Sequence, residues 1–285
     1  MHGLGNDFIV ADAEGGDFTA QARALCDRHR GIGGDGLILL LPPTRAEADL
    51  CMRMFNPDGS EAEMCGNGIR CLAGFARARF PQRTTLRIET GAGLLTARLI
   101  DDEDAHGIGF VEIDMGPPRH TRGEIPMDGP PAESAIDVPL PHEGHVYTAT
   151  CVSMGNPHCV LFLDAQRGTP LDGLDLAEVG LDVLGPQLER HPAFPRGANV
   201  EVATLVDRDE IHARVWERGA GLTLACGTGA CATMVAAALT ARVGRKARVV
   251  LPGGPLEIAW EKSGSVFMTG PYQRVFHGTL AGQPQ

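Results

Sequence analysis

Lysine is almost missing from this chain: of its 25 lysines and arginines, only Lys246 and Lys262 are lysine. Both stand in stretches that read as strand ends or a hairpin, so no buried amine is available to hold pyridoxal phosphate as a Schiff base, and no cofactor is expected. Zinc spacing is missing too. There is no C-x-x-C, and none of the ten histidines pairs with a cysteine at zinc-finger spacing, which leaves no expected metal site. Nowhere do about 18 apolar residues run together, and no basic region precedes a hydrophobic stretch at the N-terminus. The chain therefore reads as soluble, unexported and cytoplasmic. Positive charge is in deficit, with a formal net charge of −11 and a pI near 5.3. Neither nucleic acid nor an anionic membrane surface would be drawn to such a field.

What is present suits a globular protein with a sizeable core: 285 residues, 43% apolar and 21% charged, enough for two domains. Eight cysteines without a leader point to reduced thiols rather than to a disulfide framework. Six of them, Cys26, Cys51, Cys71, Cys151, Cys159 and Cys231, lie in apolar runs or inside expected helices and read as small buried hydrophobes. Cys65 and Cys226 differ. Each stands just before Gly-x-Gly and a helix-forming run, in Met64-Cys65-Gly66-Asn67-Gly68-Ile69-Arg70-Cys71 and again in Ala225-Cys226-Gly227-Thr228-Gly229-Ala230-Cys231-Ala232. A thiol at a helix N-terminus meets the positive end of the dipole and unpaired N–H groups, which favour thiolate and bind an anion close by. Two thiols in matched frames can act as a pair, one taking a proton and the other giving one. That is what inverting a carbon centre without covalent attack requires.

The order of elements repeats around these two motifs. Leu4 to Ala11 reads as a strand, and Thr19 as the N-cap of a helix over Ala20 to His29. The glycine-rich Gly31–Gly36 stretch must turn, and strands follow over Leu37 to Leu41 and Leu50 to Phe55. Next come the first cysteine motif with a helix to about Phe80, a hairpin around Gly91-Ala92-Gly93, and a strand over Ile108 to Asp114. Proline-rich residues 116–144 read as an irregular linker. The second copy runs from Gly155-Asn156-Pro157-His158 and the strand after it, through a helix over Leu176 to Arg190. A turn at Arg196 to Asn199, strands at Val200 to Leu205 and Ile211 to Trp216, the second motif, a helix to about Arg242 and a hairpin at Pro252-Gly253-Gly254 complete it. Residues 230–241 hold no charge and residues 69–76 only Arg70, so both helices should be buried.

The expected fold is α+β. It has two pseudo-symmetric domains, each a strongly curved, mostly antiparallel sheet or barrel wrapped about a central buried helix, with the active site in the interdomain cleft. The first covers 1–114, completed by a C-terminal strand at 271–285, and the second 115–270.

The motifs, with Met1-His2-Gly3-Leu4-Gly5-Asn6-Asp7-Phe8, Phe55-Asn56, Ser153-Met154-Gly155-Asn156-Pro157-His158 and Trp216-Glu217-Arg218-Gly219-Ala220-Gly221, closely resemble the diaminopimelate epimerases over essentially the whole chain. The resemblance implies a cofactor-independent homodimer that interconverts LL- and meso-diaminopimelate on the route to lysine and peptidoglycan precursors. It implies that Cys65 and Cys226 are the acid/base thiols. Gly66, Asn67, Gly227 and Thr228 would hold the reacting carboxylate at the helix starts. Asn6, Asn56, Asn156, Asn199 and Arg218 would position the rest of the substrate, and Glu217 would line it. His158 and Glu217 would tune the thiols. Two positions depart from the family pattern: Gly36 stands where a substrate-contacting glutamine is frequent, and Leu222 where a glutamate is frequent. The alternative is a proline or hydroxyproline racemase of the same fold, in which a histidine typically replaces Asn67. An amino-acid or anion-binding protein using the same helix starts would need neither thiol.

Overall fold

The computed structural model describes residues 1–62 and 64–280. They divide into two compact units, 1–112 with the C-terminal stretch from Pro271, and Ile113–Gly270. Residues 281–285, the end of the expected C-terminal strand, lie outside the described residues.

The first unit opens with β1 (His2–Gly3) and β2 (Asn6–Asp12), joined through Leu4 at φ 57 and Gly5. Then follow α1 (Thr19–Cys26), β3 (Gly36–Leu41), β4 (Leu50–Phe55), β5 (Glu61–Ala62), α2 (Gly66–Ala76), β6 (Thr85–Thr90) and β7 (Gly93–Leu99). The chain leaves this unit within β8 (Ile108–Asp114). The second unit holds β9 (Val138–His142), β10 (His145–Ser153), β11 (Pro157–Phe162), α3 (Leu181–Glu189), β12 (Asn199–Leu205), β13 (Glu210–Glu217), β14 (Gly221–Thr223), α4 (Gly227–Leu239), β15 (Lys246–Leu251) and β16 (Gly254–Trp260). The chain returns within β17 (Val266–Gln273), so the C-terminal strand ends well before residue 285.

The two units share one topology. Strands β2 and β3 are parallel and joined through α1, as β11 and β12 are parallel and joined through α3. In each unit the next strand is antiparallel (β4, β13), a short hairpin partner follows (β5, β14), and a parallel pair (β4 with β6, β13 with β15) spans the buried helix. Most strand pairs are antiparallel, as expected, and the parallel ones fall at the crossovers. Crossovers between parallel strands need a long connection, and the helices supply it.

In the first unit α2 packs on β1, β2, β3 and β7. Strand β3 is buried along its whole length: Leu37, Leu39 and Leu41 join α1 in one core cluster. In the second unit α4 packs on β10 to β13, β15 and β16, and its run from Gly229 to Ala237 is entirely buried. Apolar character all round suits that position, each large side chain contributing about 1.5–3 kcal/mol. The one charge inside α2, Arg70, is also fully buried. Its guanidinium donates to the carbonyls of Gly66 and Pro271 and to Asn67 Oδ1 at 2.9–3.1 Å.

Several sequence expectations need correction. Helix α1 stops at Cys26 because Asp27 Oδ1 takes the amides of His29 and Arg30, and it starts at Thr19, whose amide donates to Asp17. The helix expected over 176–190 is broken: a 3₁₀ turn covers Leu176–Glu178, and Arg214 takes the carbonyls of Leu176 and Val179. Helix α4 ends at Leu239, with Ala241 left-handed at φ 57. The proline-rich stretch is no linker. Ile125, Met127, Ala135, Val138 and Leu140 from it are buried in the core between α3 and β10–β12. Among the described residues no helix is long and apolar enough to cross a membrane.

Candidate active site

In the first unit Cys65 is extended (φ −139°, ψ 124°) and leads directly into α2. Its thiol donates to Asn6 Oδ1 at 3.7 Å, and Asn67 Nδ2 donates to the same oxygen at 3.3 Å. Asn6 Nδ2 in turn donates to Asp35 Oδ2 at 2.7 Å, while Arg28 bridges Asp35 and Asp7, each at 2.7 Å. The Arg28 guanidinium holds the Asp7 carboxyl below its ordinary range. Asp35 and Arg28 thus orient the Asn6 amide, a role invisible in a glycine-rich turn. Asn56 stays within the turn between β4 and β5, donating to Ser60 Oγ at 3.0 Å. Gly36 begins β3, where a Cβ would lie 2.9 Å from the Phe55 carbonyl oxygen. A side chain there must displace backbone, so this position contributes none to a ligand.

In the second unit Cys226 is again extended (φ −119°, ψ 114°) and leads into α4, but it is 5% exposed. The Gly229 amide donates to its Sγ at 3.3 Å, and Thr228 Oγ1 lies 3.5 Å away. Burial, followed by the charges of Glu217 and Glu201, pushes this thiol well above the ordinary range. The helix start was expected to favour thiolate. Desolvation outweighs it here. Neither α2 nor α4 has an acidic residue in its first turn, so the amides at Gly66, Asn67, Gly227 and Thr228 meet no carboxylate of their own helix.

From Cys226 a chain of contacts runs inward. Asn156 Nδ2 donates to Thr228 Oγ1 at 3.3 Å, Asn156 Oδ1 meets His158 Nε2 at 3.0 Å, and His158 Nδ1 meets Glu201 Oε1 at 2.7 Å. A histidine after proline suggests an exposed loop, but His158 lies in β11 and is fully buried. Glu201 was missed by sequence reasoning. Its signal is a carboxylate between the apolar Val200 and Val202 in the buried part of strand β12.

Asn199 links the neighbouring pieces: its Nδ2 donates to the Pro157 carbonyl at 3.0 Å and its Oδ1 accepts from the Arg218 amide at 2.9 Å. The exposed Arg218 donates through Nη1 to the Arg196 carbonyl at 2.9 Å. Glu217 accepts from Thr223 Oγ1 at 2.6 Å across the β13–β14 hairpin, and Leu222 in β14 is 46% exposed. Of the remaining thiols, burial drives Cys71 up to about 12, and the hydrogen bond with Cys151, followed by burial, raises Cys159 well above the ordinary range. Cys26, Cys51, Cys71, Cys151, Cys159 and Cys226 form no disulfide.

The sequence model of a family described as diaminopimelate epimerase matches residues 1–121 and 150–275. A diaminopimelate epimerase of Nostoc punctiforme is 49% identical over 98% of this chain and 97% of its own length. One from Pelotomaculum thermopropionicum is 48% identical over 97% and 96%. Among solved structures, a hydroxyproline epimerase from Agrobacterium vitis with bound trans-4-hydroxy-L-proline superposes with a TM-score of 0.65 at 16% identity, covering 96% of this chain and 89% of that one. A methylitaconate-delta-isomerase gives 0.61 at 15%, covering 100% and 97%. At such identities the likeness is one of fold.

Proposed function

The chain belongs to the diaminopimelate epimerase family, and from that premise we propose that Cys65 and Cys226 are the two acid/base thiols of a cofactor-independent epimerisation of LL- and meso-diaminopimelate. One thiolate takes the α-proton, leaving the electron pair delocalised into the α-carboxylate. The other thiol returns a proton to the opposite face, so the carbon inverts and each sulfur ends with the other's starting proton count. The observation that supports this most is the matched placement of both cysteines. Each is an extended residue immediately ahead of a buried helix whose first-turn amides can carry the charge that grows on the carboxylate. In this reading burial keeps the Cys226 thiol protonated at neutral pH.

In this reading Gly66, Asn67, Gly227 and Thr228 hold the reacting carboxylate. Asn6, Asn56, Asn156, Asn199, Glu217 and Arg218 position the remainder, and His158 with Glu217 tunes the Cys226 thiol. Arg218 serves the distal carboxylate, for which a planar guanidinium is suited. A proline or hydroxyproline racemase reading rests on fold alone. A homodimer, a cytoplasmic location and a place in lysine and cell-wall precursor synthesis belong to the same proposal and rest on the family resemblance and composition. The test is incubation with LL-diaminopimelate in deuterated water. Enzyme-dependent loss of the α-proton with appearance of the meso form supports the reading, and exchange into proline instead refutes it.

A further inference from the structure

The two cysteine frames match in backbone but differ in one pair of side chains. Phe8 opposes Gly36 across β2 and β3, and His158 opposes Asn199 across β11 and β12. Two residues further along the second strand stand Ile38 in one unit and Glu201 in the other. The helix glycines give the same equivalence. A Cβ on Gly68, the third residue after Cys65, would meet Ile38 Cδ1 at 2.8 Å, and one on Gly229, the third after Cys226, would meet Glu201 Oε1 at 2.8 Å. The register positions that Phe8 and Ile38 fill with hydrocarbon in the first unit are therefore filled by His158 and Glu201 in the second.

Packing alone does not explain the exchange. Both side chains are 0% exposed, and Glu201 Oε2 has no hydrogen-bond partner among the described residues. An apolar pair of similar volume is usually no less stable than a buried ionic one, and a buried orphan oxygen is a net cost. Proton placement narrows the role. Asn156 directs its amide nitrogen at Thr228, so its oxygen faces His158 Nε2, which must carry a hydrogen. The 2.7 Å contact between Nδ1 and Oε1 holds one more proton, on the imidazole or on the carboxyl. Burial favours the second arrangement by raising Glu201, and the imidazole opposes it. In either form the pair is neutral overall and can switch at no cost in net charge.

We propose that Glu201 is a positioning residue that acts through His158, fixing the imidazole and keeping it able to become imidazolium when the Cys226 thiol ionises. The assignment rests on Cys226 being one of the two acid/base thiols. Three other titratable groups act on the pair: Cys226 at the start of α4, Glu217 at the end of β13, and Cys159 on β11. Asn156 and Thr228 complete the contact chain without charge.

The test is Glu201→Gln, beside His158→Phe and the double variant His158→Phe/Glu201→Ile, which rebuilds the pair the first unit already packs. Glu201→Gln should lower kcat by about 10- to 100-fold, below the full loss of an acid or base, with KM kept within about threefold. A limb of the kcat/KM profile should move, because the carboxylate coupled to the imidazole is gone. The double variant should fold and be no slower than His158→Phe alone. Wild-type kcat with an unmoved limb in Glu201→Gln, or losses that add fully in the double variant, would overturn the assignment. If Glu201→Gln does not fold, the double variant still decides. Near-normal turnover in Cys226→Ala would instead remove the premise, so the two failures are distinguishable.

Discussion

The Gly229 amide donates to Cys226 Sγ at 3.3 Å, so the sulfur caps the helix that follows it. That bond and the helix dipole favour thiolate, but burial and the charges of Glu217 and Glu201 act against it and prevail. A thiol raised in this way stays protonated through neutral pH and ionises only above the ordinary thiol range. The thiolate absorbance difference between wild type and Cys226→Ala should accordingly be absent near neutrality and appear in alkali. Glu217→Gln should move its onset to lower pH. A Cys226 contribution already present at neutral pH in the empty enzyme contradicts this.

In the proposed reading substrate choice depends on Arg218. That reading puts a second carboxylate far from the reacting carbon, and a guanidinium built for one discriminates against ligands that lack it. Lysine and proline should exchange their α-proton at least about 10³-fold more slowly than diaminopimelate, near 4 kcal/mol. Arg218→Met should slow diaminopimelate while leaving a monocarboxylate's low rate unchanged. Equal losses on both show that Arg218 is not the distal anchor.

A steric prediction concerns the C-terminal strand. A Cβ on Gly74 of α2 would overlap the ring of Tyr272, which is 1% exposed. Gly74→Ala gains about 1 kcal/mol of helix propensity and should still destabilise the protein, because overpacking costs about 1–3 kcal/mol. Adding Tyr272→Leu should recover part of the loss. Thermal or denaturant unfolding of the three variants reads this directly, and an unchanged or raised midpoint in Gly74→Ala refutes the packing of residues 271–273 against α2.

Much of this was legible in the sequence because the repeat is written in backbone-forming residues. Glycine after cysteine, charge-free helix runs and glycine turns dictate local conformation by themselves, and they fix where both thiols sit. Helix ends were less legible. The stop at Cys26 depends on the Asp27 side chain, and the break before Leu181 on Arg214, residues that also occur in unbroken helices. The burial of Ile125, Met127 and Leu140 was hidden by the prolines among them, which forbid regular periodicity but not packing. Glu201 was illegible for another reason: its role comes from a register that places it two residues beyond the partner of His158, and only the parallel pairing of β11 with β12 reveals that.

In the proposed mechanism both thiols move protons at the same carbon. The direct measurement follows α-proton exchange and epimerisation of LL-diaminopimelate in deuterated water with wild type, Cys65→Ala and Cys226→Ala, each checked for folding. Wild type should incorporate one deuterium as it inverts. Each alanine variant should lose inversion by at least about 10² to 10⁴. Near-normal inversion in either alanine variant would contradict the two-thiol mechanism.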